Sequence, residues 1–375
     1  MVPVIEWVRW ETVDVPTWPP LCSISITVRR DCLDLLCSGI AMPSMSVLCH
    51  CLILSICLAR GNVWAEEVLS RALAHDSGVD WKDDLPDAQA MLTQIAWPAT
   101  DFEVTWSPVE GRDFQRLVRY PTPHPSGDAK NDLVSMEWYM PKLPLLQEGP
   151  LPTIVVIHES GSAMPAGRAI ARGIQLRGLH AILLHLPYYG ERRGPKGKDQ
   201  SEFLITMRQG VADARRAFDA VAALPGVDKT RISIQGTSLG GFVTTSAASL
   251  DACYHQNFIM LAGGDLYSMI VNGKQDTADL REKLEKAGYT NDKLKALLNQ
   301  VEPTRIAHRL PPARTWVYAA LQDDVVPIRN VRILADSIPL DRQHRMEFIG
   351  GHYTAALWLP VVIDHFANRA MLKPE

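Results

Sequence analysis

Two segments in the middle of the chain are apolar almost without interruption: TIVVIH at 153–158 and AILLHLP at 181–187. A strand that alternates apolar and polar residues buries one face. A strand apolar throughout buries both, which is the setting of a parallel sheet covered by helices on either side. The interval 165–178 has helical patterning, so this stretch reads as strand, helix, strand. A longer helix at about 201–224 ends at Pro225-Gly226, and RISIQG at 231–236 is the next strand, running into a helix at about 240–250. FIMLAG (258–263), TWVYAA (315–320) and HRMEFI (344–349) complete the strand set, with a charged amphipathic insertion at 275–300. Chains that alternate strands and helices in this way form α/β folds.

Upstream the pattern differs. Residues 66–75 and 86–96 read as helices, a helical lead-in over 66–100. FEVTWSP (102–108), FQRLVRYP (114–121) and DLVSMEWYMP (132–141) read as strands separated by Pro, Gly and Asp turns, an antiparallel meander. The expected architecture over 101–373 is therefore a mostly parallel central sheet flanked by helices. Antiparallel strands lie at its N-terminal edge, and 275–300 forms a small helical cap.

The 375 residues carry 38 Lys+Arg against 42 Asp+Glu, and 47% are hydrophobic. That balance fits a folded globular protein and argues against a nucleic-acid binder. Six cysteines fall before residue 65 and only Cys253 follows, so the main body holds no internal disulfide. Cys49-His50-Cys51 is too tight for an ordinary zinc site. No Walker A or Rossmann glycine motif occurs, and the scattered histidines lack metal-ligand spacing, so neither a cofactor nor a metal is expected.

Residues 47–59, VLCHCLILSICLA, form an apolar run of signal-peptide length, with Val63 and Ala65 at −3 and −1 of a cleavage site before Glu66. Met42 and Met45 lie just ahead of it. The expectation is a signal peptide at 42–65, an upstream extension at 1–41, and export to the periplasm or the medium. Thirteen apolar residues are too few to span a bilayer, so no stable membrane span is expected.

The strongest chemical signal is Gly236-Thr237-Ser238-Leu239-Gly240-Gly241, between an apolar strand and a helix. In that setting G-x-S-x-G is a nucleophile elbow. Small residues at 236 and 240 permit a sharp turn that presents the Ser238 hydroxyl above the sheet. A serine hydroxyl needs a base to take its proton and an acid to orient that base. Strand 315–320 runs into Asp323 and Asp324, and strand 344–349 runs into Gly350-Gly351-His352. The chain order serine, acid, histidine is the one expected on such a sheet. Backbone N–H groups must also bind the oxyanion, and Leu239 N–H, next after the nucleophile, supplies one.

With these motifs in order, residues from about 100 to 373 resemble an α/β-hydrolase, close to the dienelactone-hydrolase and prolyl-oligopeptidase-like branch. The resemblance implies Asp323 as the acid, four residues before Pro327, with Asp324 as its rival. It also implies Ser160 N–H as the second oxyanion donor, because His158-Glu159-Ser160-Gly161 is similar to the loop of that branch in which a glutamate follows the strand. Glu159 then either helps to position Ser238 and its neighbours or pairs with an arginine. After strand 181–187, Tyr188, Tyr189, Arg192 and Arg193 border the expected site mouth. The tyrosines suit an acyl or leaving-group pocket, and the arginines suit a substrate carboxylate or a structural salt bridge.

The implied function is a serine hydrolase cleaving a small-molecule carboxylic ester, with Ser238, Asp323 and His352 catalytic. A prolyl-oligopeptidase-type peptidase and a non-catalytic binding protein of the same fold are the alternatives. Such peptidases usually carry a β-propeller, for which the roughly 35 residues expected between the signal segment and the first strand leave no room.

Overall fold

The computed structural model describes residues 69–78, 80–141, 149–194 and 203–374. The expected signal segment, its upstream stretch and the six clustered cysteines lie outside the described residues.

Ten strands among the described residues form one mixed sheet. They are β1 (Ser70–His75), β2 (Asp101–Pro108), β3 (Arg116–Pro121), β4 (Leu133–Tyr139), β5 (Leu151–Ile157), β6 (His180–Leu184), β7 (Val227–Thr237), β8 (Asn257–Met260), β9 (Thr315–Ala320) and β10 (Arg345–Phe348). Their order is β1-β2-β3-β4-β6-β5-β7-β8-β9-β10. β1 to β4 are antiparallel and β4 pairs antiparallel with β6; from β6 to β10 every pairing is parallel.

The helices are α1 (Pro86–Ile95), α2 (Pro165–Leu176), α3 (Phe203–Ala222), α4 (Leu239–Ser249), α5 (Leu266–Asn272), α6 (Asp276–Lys286), α7 (Asn291–Asn299), α8 (Ile328–Ser337) and α9 (Leu359–Met371). The period-two geometry of a strand sends successive side chains to opposite faces. In β5, Val155 and Ile157 join the core under α3 and α4, while Ile154 and Val156 join the core under α2 and α9. β6 divides the same way, Ile182 and Leu184 against Ala181 and Leu183. Both faces are dry, which is why these runs contain no alternation.

One expectation fails. Ser70–His75 is not helical but the edge strand β1, paired with β2. Its Ala-, Leu- and Glu-rich surroundings favour a helix locally, yet period two puts Ala72 and Ala74 inward while Arg71, Leu73 and His75 face solvent. Ladder hydrogen bonds and the Arg71–Glu103 and His75–Asp101 pairs outweigh a helix preference of a few tenths of a kcal/mol per residue, about the usual spread of such propensities.

Buried ion pairs tie α3 to the N-terminal region. Arg216 clamps Asp76 through Nε and Nη2 at 2.8 and 2.5 Å, and Arg215, itself paired with Asp219 and Asp251, donates to Ser77 Oγ at 2.9 Å. No helix among the described residues is long and apolar enough to cross a membrane.

The order of strands decides where chemistry can occur. The helix after β5 lies on one face and the helix after β7 on the other, so a crevice opens between the carboxyl ends of these neighbouring strands.

Candidate active site

Ser238 stands at that crevice, between the last residue of β7 and the first of α4. Its φ of 52° and ψ of −116° lie in a region that a side chain strains to occupy. The surrounding glycines make the turn feasible. A Cβ at Gly240 would fall 2.1 Å from the Ile157 carbonyl oxygen, and one at Gly236 would fall 2.1 Å from the Gly240 carbonyl. The start of α4 therefore rests directly on the end of β5.

His352 and Asp323 converge on this point from two other strand ends. His352 Nε2 lies 3.0 Å from Ser238 Oγ, and His352 Nδ1 lies 2.7 Å from Asp323 Oδ2. Asp323 Oδ1 accepts hydrogen bonds from Val325 and Val326 N–H, both at 2.8 Å, which fixes the carboxylate. Asp324, its rival, is exposed and pairs with Lys274 at 3.3 Å. Ser238 and Asp323 are both buried.

The loop after β5 supplies the facing wall. Leu239 opens α4, so its N–H has no intrahelical acceptor. Ser160 and Leu239 both border the cavity that Ser238 faces. Glu159 holds its own loop against α2. Its two carboxylate oxygens accept from Ala166 and Gly167 N–H at 2.9 and 3.0 Å, so it caps α2 and reaches neither Ser238 nor an arginine. An anion at a helix N-terminus also meets the favourable end of the helix dipole. The preceding His158 is fully buried, and burial holds its imidazole down at about 3. In that neutral form Nδ1–H donates to Glu159 O at 2.5 Å while Nε2 accepts from Leu186 N–H at 3.0 Å. The loop is thus pinned at both ends.

Of the four residues after β6, only Tyr189 lines the cavity. Its hydroxyl donates to Ser160 O at 3.1 Å and its ring packs on His158. Arg192 follows the structural salt-bridge alternative: it is wholly buried, pairs with Asp213 at 2.8 Å, and donates to Asn131 O and His185 O. Arg193 is exposed and lies outside the cavity lining, as does Tyr188, whose N–H donates to Asn131 Oδ1. The sequence carries no sign that separates Arg192 from Arg193; the turn at Gly190–Arg192 decides which one points inward.

The cavity has a volume of about 440 Å³. The segment between β8 and β9 roofs it with α5, α6 and α7, and α5 packs on the other two. Leu284, Leu294, Leu297 and Leu298 are buried and Leu280 partly so, which gives the roof its own apolar footing. The sequence reading missed two groups at the rim. Asp276, the first residue of α6, accepts from Ser160 Oγ at 3.3 Å. Tyr353, next after His352, is largely exposed, and its phenol is pushed up by its partial desolvation and by a hydrogen bond to Asp276.

No protein-family model matches the sequence, and no curated protein matches it. Solved structures do. The chain is similar to an acetyl xylan esterase from Paenibacillus sp. R4, with a TM-score of 0.52 and 15% identity over 84% of this chain and 92% of that one. It is also similar to a puromycin-hydrolysing peptidase of Mycobacterium tuberculosis, with a TM-score of 0.50 and 16% identity over 73% of this chain and 46% of the other. At such low identity the likeness concerns the fold. Together with the topology, it makes this an α/β-hydrolase fold.

Proposed function

We propose that this α/β-hydrolase-fold chain is a serine hydrolase that cleaves a small-molecule carboxylic ester through an acyl-enzyme. The observation that carries the reading is the unbroken contact chain from Asp323 through His352 to Ser238, ending on a strained serine at a cavity wall.

Ser238 Oγ attacks the ester carbonyl carbon as His352 Nε2 takes the hydroxyl proton. Asp323 accepts the Nδ1–H of His352, holding the ring in the required tautomer and stabilising the imidazolium. The carbonyl oxygen becomes an oxyanion and receives Leu239 N–H and Ser160 N–H. Collapse breaks the bond to the alcohol oxygen, which leaves with the proton held on His352. Water then gives its proton to His352 and attacks the acyl carbonyl. The bond to Ser238 breaks, the serine regains its proton, and a carboxylic acid departs.

The test is hydrolysis of p-nitrophenyl butyrate by the full chain beside Ser238→Ala, with fluorophosphonate labelling of Ser238 in parallel. Turnover that disappears in the variant supports the reading. Labelling of Ser238 without turnover of any ester redirects it toward a peptide bond. Neither labelling nor turnover overturns catalysis and favours a binding role.

A further inference from the structure

The cavity beneath the roof is chemically one-sided, and its position relative to His352 says which half of an ester enters it. The departing alcohol oxygen must come within reach of His352 Nε2, because that atom returns the proton. His352 does not line the cavity, and its neighbour Tyr353 is exposed. The alcohol therefore leaves on the outer, His352 side, and the acyl group extends the other way, beneath α5, α6 and α7.

That space is walled by apolar side chains from five helices and one further turn: Met207 on α3, Phe242 on α4, Met269 on α5, Leu280 on α6, Leu298 on α7, and Val326. A dry cavity of about 150 Å³ holds one benzene molecule, so about 440 Å³ has room for an acyl chain well beyond acetyl with part of the alcohol beside it. Among the described residues, the charged groups of the lining are Asp276, Asp279 and Lys283, all on α6. Two carboxylates against one ammonium give an anionic acyl tail nothing to gain there.

We infer that the acyl-binding chamber selects an uncharged, apolar acyl group of roughly eight carbons, such as a medium-chain or aryl-alkyl acid, over acetyl. This rests on the esterase reading and adds the substrate class to it. Each methylene moved from water into the chamber contributes roughly fourfold in transition-state binding when fully buried. Partial burial of six extra methylenes predicts a kcat/KM ratio of octanoate to acetate of roughly 100.

The experiment measures kcat/KM on p-nitrophenyl acetate, butyrate, octanoate and monosuccinate with the full chain, wild type beside Leu280→Trp and Phe242→Ala. Each ratio is read within one protein preparation, so a loss of active molecules cancels. The expected result is octanoate far above acetate and succinate poorest, with the octanoate-to-acetate ratio falling at least tenfold in Leu280→Trp. Phe242→Ala, which widens the chamber and strips apolar contact from it, is also expected to lower the octanoate-to-acetate ratio. Acetate as the best substrate, with a ratio that neither variant moves, overturns the chamber while leaving the esterase reading intact. Failure on all four esters with no fluorophosphonate labelling overturns both together.

Discussion

Asp323 and His352 meet at 2.7 Å through Oδ2 and Nδ1, while the other Asp323 oxygen is held by two backbone N–H groups. Asp324, one residue on, faces solvent beside Lys274. Replacing Asp323 with Asn therefore disturbs the histidine tautomer and is expected to lower kcat by roughly 10³–10⁴. Asp324→Asn is expected to stay within about twofold of wild type, since exposed pairs contribute little. Steady-state kinetics on p-nitrophenyl butyrate compares the two; equal losses would remove Asp323 from its assigned place.

Gly240→Ala places a methyl group 2.1 Å from a main-chain oxygen of β5, which cannot rotate away. Overpacking against rigid backbone costs about 2 kcal/mol or more. The melting temperature is expected to fall by about 4–8 °C, with activity reduced as the elbow shifts. A variant as stable and as active as wild type would contradict the close packing of α4 on β5.

Glu159→Ala removes both acceptors at the N-terminus of α2. Loss of such a cap costs about 1–2 kcal/mol. Because the same loop carries Ser160, kcat is expected to fall roughly tenfold with little change in KM, the mark of a weakened oxyanion contact. Glu159→Gln, which keeps one acceptor oxygen, should recover part of both. A drop in stability alone would assign Glu159 to α2 and not to the site.

Acid should destabilise the fold in a defined window. Burial holds His158 at about 3, so the unfolded chain takes up a proton below about pH 6.5 that the folded chain refuses until about pH 3. Stability from this group is complete above that window and falls as pH drops through it, by about 1.4 kcal/mol per unit. Glu137 acts in the same direction. Burial alone would raise it, but hydrogen bonds from His185 and Arg168 outweigh that and lower it to about 2, so its contribution fades as pH falls from about 4.5. Thermal melts at pH 7.5, 6.0 and 4.5 are expected to show a steady loss. His158→Gln should start lower at pH 7.5 and lose less on acidification; an identical pH slope in wild type and variant would refute the assignment.

The apolar segment 47–59 predicts export. Produced in a bacterium from Met42, the protein is expected in the periplasmic fraction with Glu66 as its first residue. Cytosolic protein retaining residues 47–59 would remove the signal-peptide reading.

Local chemistry made much of this legible in advance. The uninterrupted apolar runs at 153–158 and 181–187 could only be strands covered on both faces, and small residues around Ser238 suit nothing so well as a sharp strand-to-helix turn. The error at 70–75 arose because helix propensity is a property of the segment, whereas an edge strand is stabilised by its partner, β2. The alternatives for Arg192 and Glu159 stayed open for a related reason: a charged side chain in a loop near a site looks the same in sequence whether it turns toward substrate, toward Asp213, or toward the start of a helix.

Periodicity and turn chemistry act over a few residues, and so nine of the ten strands, the two-sided burial of β5 and β6, and the chain order of Ser238, Asp323 and His352 could be read from the amino acids alone. Long-range packing settles that Asp323 and not Asp324 meets His352, that Arg192 is an internal counter-ion, and that three helices roof an apolar chamber. Those outcomes depend on which strand ends lie side by side and on which way each side chain finds a buried partner. Contacts between residues 29 or 114 positions apart are set by the packing of the whole sheet.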